Sequence, residues 1–210
     1  MAELRPDSDH TRRLLDDLRR GDRRALGALL ARQRPAMREL VALHLDPRLA
    51  ARADPSDVVQ EAQADMARRI DDYLGRDPMP FHLWARKTAY ERLLDLHRYH
   101  LRRARRAAGR EVPLPDRSSL LLARPLLGGG PSPSRQAAAR ELAERVARAV
   151  AGLSEADREV LLMRHAEGLP FGEVACLLGV EPAAARKRFG RALIRLQDAL
   201  AREGLLGGES

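Results

Sequence analysis

Between Leu153 and Leu200 two helical periods meet at a short turn, and this junction limits what the chain can become. Phe171, Val174, Ala175 and Leu178 recur at helical spacing. Gly179-Val180 then interrupts the pattern, and Pro182 stands where the first turn of a new helix needs no N–H. Helix, tight turn and helix in that order predict a helix-turn-helix. Around a wheel at ~100° per residue, Ala185, Phe189, Ala192, Leu193, Leu196 and Leu200 fall on one side of the second helix. Lys187, Arg188, Arg191 and Arg195 fall on the other, with Arg186 at the edge, and no acidic residue stands between Pro182 and Gln197. A merely solvated face usually mixes both signs, as Glu141, Arg145 and Arg148 do on the preceding helix. A one-signed face opposite an apolar one favours a polyanion such as DNA.

The rest of the composition agrees. The formal charge is +8 over 210 residues, so a polyanionic partner is the default expectation. Of the 38 basic residues only Lys87 and Lys187 are lysine. Arginine's planar fork suits phosphates and guanine edges. Cys176 is the only cysteine, which excludes an internal disulfide and a cysteine-based zinc site and fits a reducing cytoplasm. The first residues, MAELRPDSDH, carry charges and a proline where a secretory signal needs an apolar core. No apolar run approaches the ~20 residues of a membrane helix. A soluble, cytoplasmic protein without membrane insertion is expected.

Taken in order, residues 1–10 read as disordered, and a helix should start near Thr11 with Leu14, Leu15 and Leu18 as its apolar stripe. A second helical stretch runs from Arg24 to Leu45, with Pro35 expected to break or bend it. From Ala53 to Leu74, Asp54 is a good N-cap and Pro55 a good first residue. Val58, Val59, Ala62, Met66 and Ile70 should face a core, leaving Asp57, Gln60, Glu61 and Asp65 outward. After a loop over Gly75–Pro80, a helix from Pro80 to about Ala108 should bury Leu83, Leu93, Leu94 and Leu101.

Five of the seven aromatic residues, Tyr73, Phe81, Trp84, Tyr90 and Tyr99, crowd into this region, and six arginines from Arg98 to Arg110 follow without an acidic residue. Rings that stack on unpaired bases beside guanidinium groups that hold a backbone are what single-stranded binding asks for. The same rings also suit the filling of a small helical core.

From Val112 to Ser134 five prolines and a triple glycine indicate an interdomain linker with an apolar run at Leu120–Leu122, Leu126 and Leu127. Ser134 can cap a helix to about Ala151 with Leu142, Val146 and Val150 inward. Ser154 to Asp157 resembles a capping box opening a helix at Glu155, which carries Val160, Leu161 and Met163 and ends at Gly168. The expected architecture is all-α: a helical domain over 11–110, a Pro/Gly-rich linker over 111–133, and a helix-turn-helix domain over 134–204.

Catalytic chemistry finds no foothold. His97 and His100 share a helical side near Asp95, but a structural zinc site wants four ligands and no fourth is evident. Gly128–Gly130 precedes prolines rather than a strand-to-helix phosphate loop. Cys176, beside apolar neighbours, reads as core filling. No nucleophile and base pair presents itself, so neither an enzyme nor a cofactor is expected.

Two separated features together resemble the bacterial RNA polymerase sigma factors of the extracytoplasmic-function group. Asp57-Val58-Val59-Gln60-Glu61 is similar to that family's D-x-x-Q-E segment, and PFHLWARKTAYERLLDLHR to its W-L-x-x-x-A-x-N-x-x-x-D-x-x-R pattern at Trp84, Ala89, Asp95 and Arg98. LSEADREVLLMRHAEGLPFGEVACLLGV followed by RKRFGRAL resembles its promoter-reading helix-turn-helix. Gln63 and Ala67 stand where family members usually place aromatics, and Glu91 stands at the usual asparagine. Ala183, Ala184 and Ala185 offer no hydrogen bonds to bases, which would leave discrimination to Arg186, Arg188 and their neighbours.

The resemblance implies that Asp57, Gln60 and Glu61 dock on core RNA polymerase. It implies that Trp84, Tyr90, Arg98, Arg102 and Arg103 hold the melted promoter, and that Arg186, Lys187, Arg188, Arg191 and Arg195 meet duplex promoter DNA. It also allows for an anti-sigma or other regulatory partner. Two further readings stay open at the level of sequence. One is a helix-turn-helix regulator with an N-terminal sensing or dimerisation domain. The other is a basic RNA-binding or scaffold protein.

Overall fold

The computed structural model describes residues 4–45, 53–106, 141–142 and 145–205, with backbone alone for 100–106. The described residues form helices and connecting turns, and they separate into two compact units, one holding residues 5–45 and 53–106, the other residues 141–142 and 145–205. The expected linker over 111–133 and the Ser134 cap lie outside the described residues, as do the side chains of Leu101, Arg102 and Arg103.

The N-terminal unit is built from α1 (Asp9–Arg19), α2 (Arg24–His44), α3 (Pro55–Arg76) and α4 (Phe81–Arg106). Ser8 caps α1, its hydroxyl accepting from the Thr11 N–H at 3.3 Å, so the helix begins earlier than expected. Thr11, Leu15 and Leu18 turn inward against α2. Pro35 does not break α2. The proline is exposed, while Leu29, Gln33, Met37, Leu40 and Val41 on the opposite side anchor the helix both before and after it. One missing backbone hydrogen bond is outweighed by that buried seam.

Asp54 and Pro55 start α3 as their residue types dictate, with the Asp54 carboxylate accepting the Ser56 N–H at 2.7 Å. Val58, Val59, Ala62, Met66 and Ile70 are buried on one side, and Asp57, Gln60 and Glu61 are exposed on the other. Asp65 departs from the outward position that the sequence suggested. It is 7 % exposed and ion-paired with Arg68 on its own helix and with Arg92 on α4. A carboxylate is tolerated at that depth because two guanidinium groups neutralise it. Gln63 donates to the Leu30 carbonyl at 2.7 Å and ties α3 to α2.

Of the five clustered aromatic residues, Tyr73, Phe81 and Trp84 belong to the core, whereas Tyr99 is 61 % exposed. Trp84 is 5 % exposed and stacks on Tyr73 at 4.4 Å between ring centroids, with Phe81 edge-on to Tyr73 at 5.4 Å. The Tyr73 hydroxyl donates to the Met79 carbonyl at 2.9 Å, and burial together with the charges of Asp7 and Asp77 pushes its phenol upward. Leu83 and Leu93 are buried as expected, whereas Leu94 is only half-buried.

The first turn of α4 is closed from far away in sequence. The Asp7 carboxylate accepts the backbone N–H of Phe81 at 2.6 Å and of His82 at 3.1 Å, and meets the His82 ring at 3.0 Å. Burial alone would raise the Asp7 carboxyl, but these hydrogen bonds and the charge of His82 hold it below its ordinary value. An acidic group satisfying orphan N–H groups at a helix start is a capping interaction. Asp7→Ala should therefore lower the stability of this unit by about 1–2 kcal/mol, read as an earlier urea midpoint at unchanged slope.

Candidate nucleic-acid interface

The C-terminal unit comprises the helical segment 145–151, α5 (Glu155–His165), α6 (Phe171–Leu178) and α7 (Pro182–Arg202). Val146, Ala149 and Val150 pack with Ala199 and Leu200 at the far end of α7. Nearer its start, Ala185 and Ala192 close a core with Leu153, Val160, Leu161, Met163, Val174 and Ala175. Alanine at both positions lets the α7 backbone approach α5 and α6 closely, and Phe189 and Leu196 fill the flanks.

The turn between α6 and α7 has the form its residues require. Gly179 adopts φ 63°, ψ 37°, and the Val180 N–H reaches the Ala175 carbonyl at 3.0 Å. A Cβ on Gly179 would meet open space, so the left-handed backbone alone calls for glycine. Pro182 occupies the first turn of α7, and the Ala185 N–H returns to the Glu181 carbonyl at 3.0 Å. This is a helix-turn-helix, and its second helix presents Arg186, Lys187, Arg191 and Arg195 exposed and Arg188 half-exposed.

Those five cations are not equivalent. Arg195 donates to both oxygens of Asp157, at 2.7 and 2.9 Å, while the Ser154 hydroxyl donates to the same carboxylate at 2.7 Å. Asp157 is 4 % exposed. Burial by itself would push its carboxyl up, yet the hydrogen bonds from Ser154 and Arg195 and the charges of Arg195 and Arg191 win and hold it below its usual value. Arg186 lies 5.7 Å from the centre of the Phe171 ring, and Arg164 lies 4.3 Å from it while donating to the Leu169 carbonyl. Phe171 in turn meets Phe189 edge-on at 5.6 Å. The sequence marked Ser154 and Asp157 only as a local cap and gave no sign of the Arg195 or Phe171 contacts. The helical wheel also misplaced Leu193, which is 37 % exposed beside a 60 % exposed Ile194. The alanines at 185 and 192 set the contact line, and Leu193 sits beyond its edge.

In the N-terminal unit, a cleft of about 240 Å³ is lined by Arg69, Tyr73, Arg76, Trp84, Lys87 and Glu91 among others. Trp84 contributes from a mostly buried position, so its ring is not the free stacking platform that the sequence suggested. Tyr90 is half-buried, edge-on to His44 at 5.4 Å with Arg86 over its ring at 5.4 Å. Arg98 is exposed, with Asp95 3.6 Å away. Glu91 faces Arg69 at 3.8 Å.

A helix-turn-helix whose second helix carries cations and no acidic residue from Pro182 to Gln197, accompanied by a separate helical unit, fits a DNA-binding protein of the transcription machinery. The family described as Sigma-70, region 4 matches residues 143–196. The chain is 32 % identical over 177 residues to the RNA polymerase sigma factor CnrH of Cupriavidus metallidurans, covering 84 % of this chain and 86 % of that protein. It is 29 % identical over 148 residues to the probable RNA polymerase sigma factor RfaY of Xanthomonas campestris pv. campestris, covering 70 % of this chain and 34 % of that longer protein. A structure of CnrH in complex with the cytosolic domain of CnrY matches with a TM-score of 0.55 at 26 % identity, covering 92 % of this chain and 99 % of that one. The chain belongs to the RNA polymerase sigma factor family.

The lowered Asp157 carboxyl has a signed pH consequence. Its contribution to stability is full above the unfolded value of about 3.9 and is lost as pH falls through the lower folded value. Thermal melts of the wild type and Asp157→Asn should therefore differ at neutral pH and converge in acid. A gap that stays constant throughout the acid range would show that the carboxylate charge is not what matters.

Proposed function

We propose that this sigma factor divides its work between two surfaces: an acid and amide face on α3 that grips core RNA polymerase, and the first half of α7 that enters the major groove at the distal promoter element. Asp57, Gln60 and Glu61 form the polymerase-docking face. Their exposure opposite the buried Val58, Val59 and Ala62 supports that reading. Arg186, Lys187, Arg188 and Arg191 meet the duplex, with arginines pairing to guanine edges or phosphates.

The observation that carries the reading is the division of α7 into a buried alanine seam and an exposed cationic face inside a helix-turn-helix. Arg98, Arg102 and Arg103 on α4 hold the upstream edge of the melted promoter by charge, and Tyr90, some turns earlier on the same helix, lends an aromatic edge. Trp84 acts from beneath, as a wall of the cleft rather than as an open platform. The domain organisation follows: a docking and melting domain over 11–110, a linker over 111–133 and a reading domain over 134–204.

Chemistry belongs to the polymerase, and this chain supplies recognition and strand opening in the cytoplasm. Among the described residues, no helix is long and apolar enough to cross a membrane. CnrH has been captured with the cytosolic domain of CnrY, and a protein partner of that kind is proposed for this chain as a restraint on its activity.

Two measurements test the division. Gln60→Ala with Glu61→Ala should leave helicity intact and weaken copurification with core polymerase; unchanged retention removes the docking face. Arg188→Ala and Arg191→Ala should each flatten the log–log salt dependence of promoter binding by the reconstituted holoenzyme, by about 0.9 per lost phosphate contact. Slopes identical to the wild type would remove α7 as the duplex contact.

A further inference from the structure

Arg195 is the one cation of the α7 face whose position among the others conflicts with its contacts. At ~100° per residue it points between Arg188 and Arg191, on the same flank of the alanine seam. Arg188 and Arg191 have no acidic partner among the described ion pairs, whereas Arg195 delivers one guanidinium nitrogen to both oxygens of Asp157. Asp157 comes from the first turn of α5, is nearly inaccessible to solvent, and is fixed in place by the Ser154 hydroxyl and by its own backbone N–H returning to that hydroxyl at 3.2 Å.

We propose that Asp157 is a positioning residue that stands in for a DNA phosphate: it keeps Arg195 off the duplex and confines backbone contacts of α7 to Arg186, Lys187, Arg188 and Arg191. The proposal rests on α7 being the duplex-facing helix. The competition is one-sided. Moving Arg195 to a solvent-exposed phosphate would leave a buried carboxylate without its cation, and an unpaired buried charge is far costlier than a lost surface contact. The carboxylate is also placed rigidly, so little ordering is needed to keep the pair.

The latch bears on specificity. In helix-turn-helix docking the N-terminal residues of the second helix reach base edges, and Arg195 lies on the later turns. A free cation there would add to the sequence-independent electrostatic term, which strengthens binding to any duplex. Withholding it raises the ratio of promoter binding to non-specific binding, which is the quantity that matters against a genome of competing sites.

The test uses the full chain assembled with core polymerase, binding a promoter duplex and an unrelated duplex across roughly 50–200 mM salt. D157N preserves shape and the Ser154 partner but removes the charge. It should steepen the salt slope by about 0.9 and tighten binding to the unrelated duplex more than to the promoter. D157N/R195A should return to the wild-type slope. A double variant shallower than wild type by about the same amount, or a D157N slope equal to wild type, overturns the proposal. If D157N fails to fold, R195A alone decides: an unchanged slope supports the latch and a shallower one overturns it. R188A and R191A, run alongside, separate the two readings. If they flatten the slope and R195A does too, only the latch falls; if they leave it unchanged, the duplex-facing role of α7 falls and the latch falls with it.

Discussion

Everything the C-terminal unit offers to a partner depends on the close approach of α7 to α5 and α6 at Ala185 and Ala192, both fully buried. Side chains without length let a helix of 21 residues seat itself along a narrow line. A narrow line leaves most of the circumference outside, where arginines keep their hydration and their reach. Larger residues at those positions would hold α7 further out and turn its cationic face by widening the contact. The energetic argument is the ordinary one of burial, about 25 cal/mol per Å² of apolar surface, but its geometric effect is to decide which residues remain available.

The N-terminal unit solves a different problem with the same materials. Its outward face on α3 needs a helix that does not shift, and three buried or half-buried polar contacts fix it: Asp65 between Arg68 and Arg92, Gln63 on the Leu30 carbonyl, and the Tyr73 hydroxyl on the Met79 carbonyl. Around them the rings of Tyr73, Phe81 and Trp84 form a compact aromatic cluster. Polar groups at this depth have few alternative partners, so they specify one packing of α3 against its neighbours as well as adding to stability.

What the sequence revealed was what is local in the chain. The Asp54-Pro55 start, the Ser154 cap, Gly179 at the turn and the buried run of α3 all involve residues within a turn or two of each other, and periodicity or residue type is enough to read them. Asp65, Arg195 and Asp7 were misread or missed because their decisive partners come from other helices; Arg195 and Asp157 are 38 positions apart. Trp84 could be read either way, since an aromatic ring serves a core and a stacking surface equally well until its neighbours are known. Leu193 shows the limit of a wheel drawn on hydrophobicity alone: the small residues chose the seam and left a larger one outside.

Asp7 and Phe81 are 74 positions apart. A nascent chain exposes the carboxylate long before the amides that it will cap, so the opening turn of α4 cannot be completed until nearly the whole unit has been synthesised. Contacts of such separation cost more closure entropy than local ones and slow folding. Asp7 therefore clasps the first turn of the helix that carries Phe81 and Trp84, and a segment fused ahead of it would emerge beside that turn.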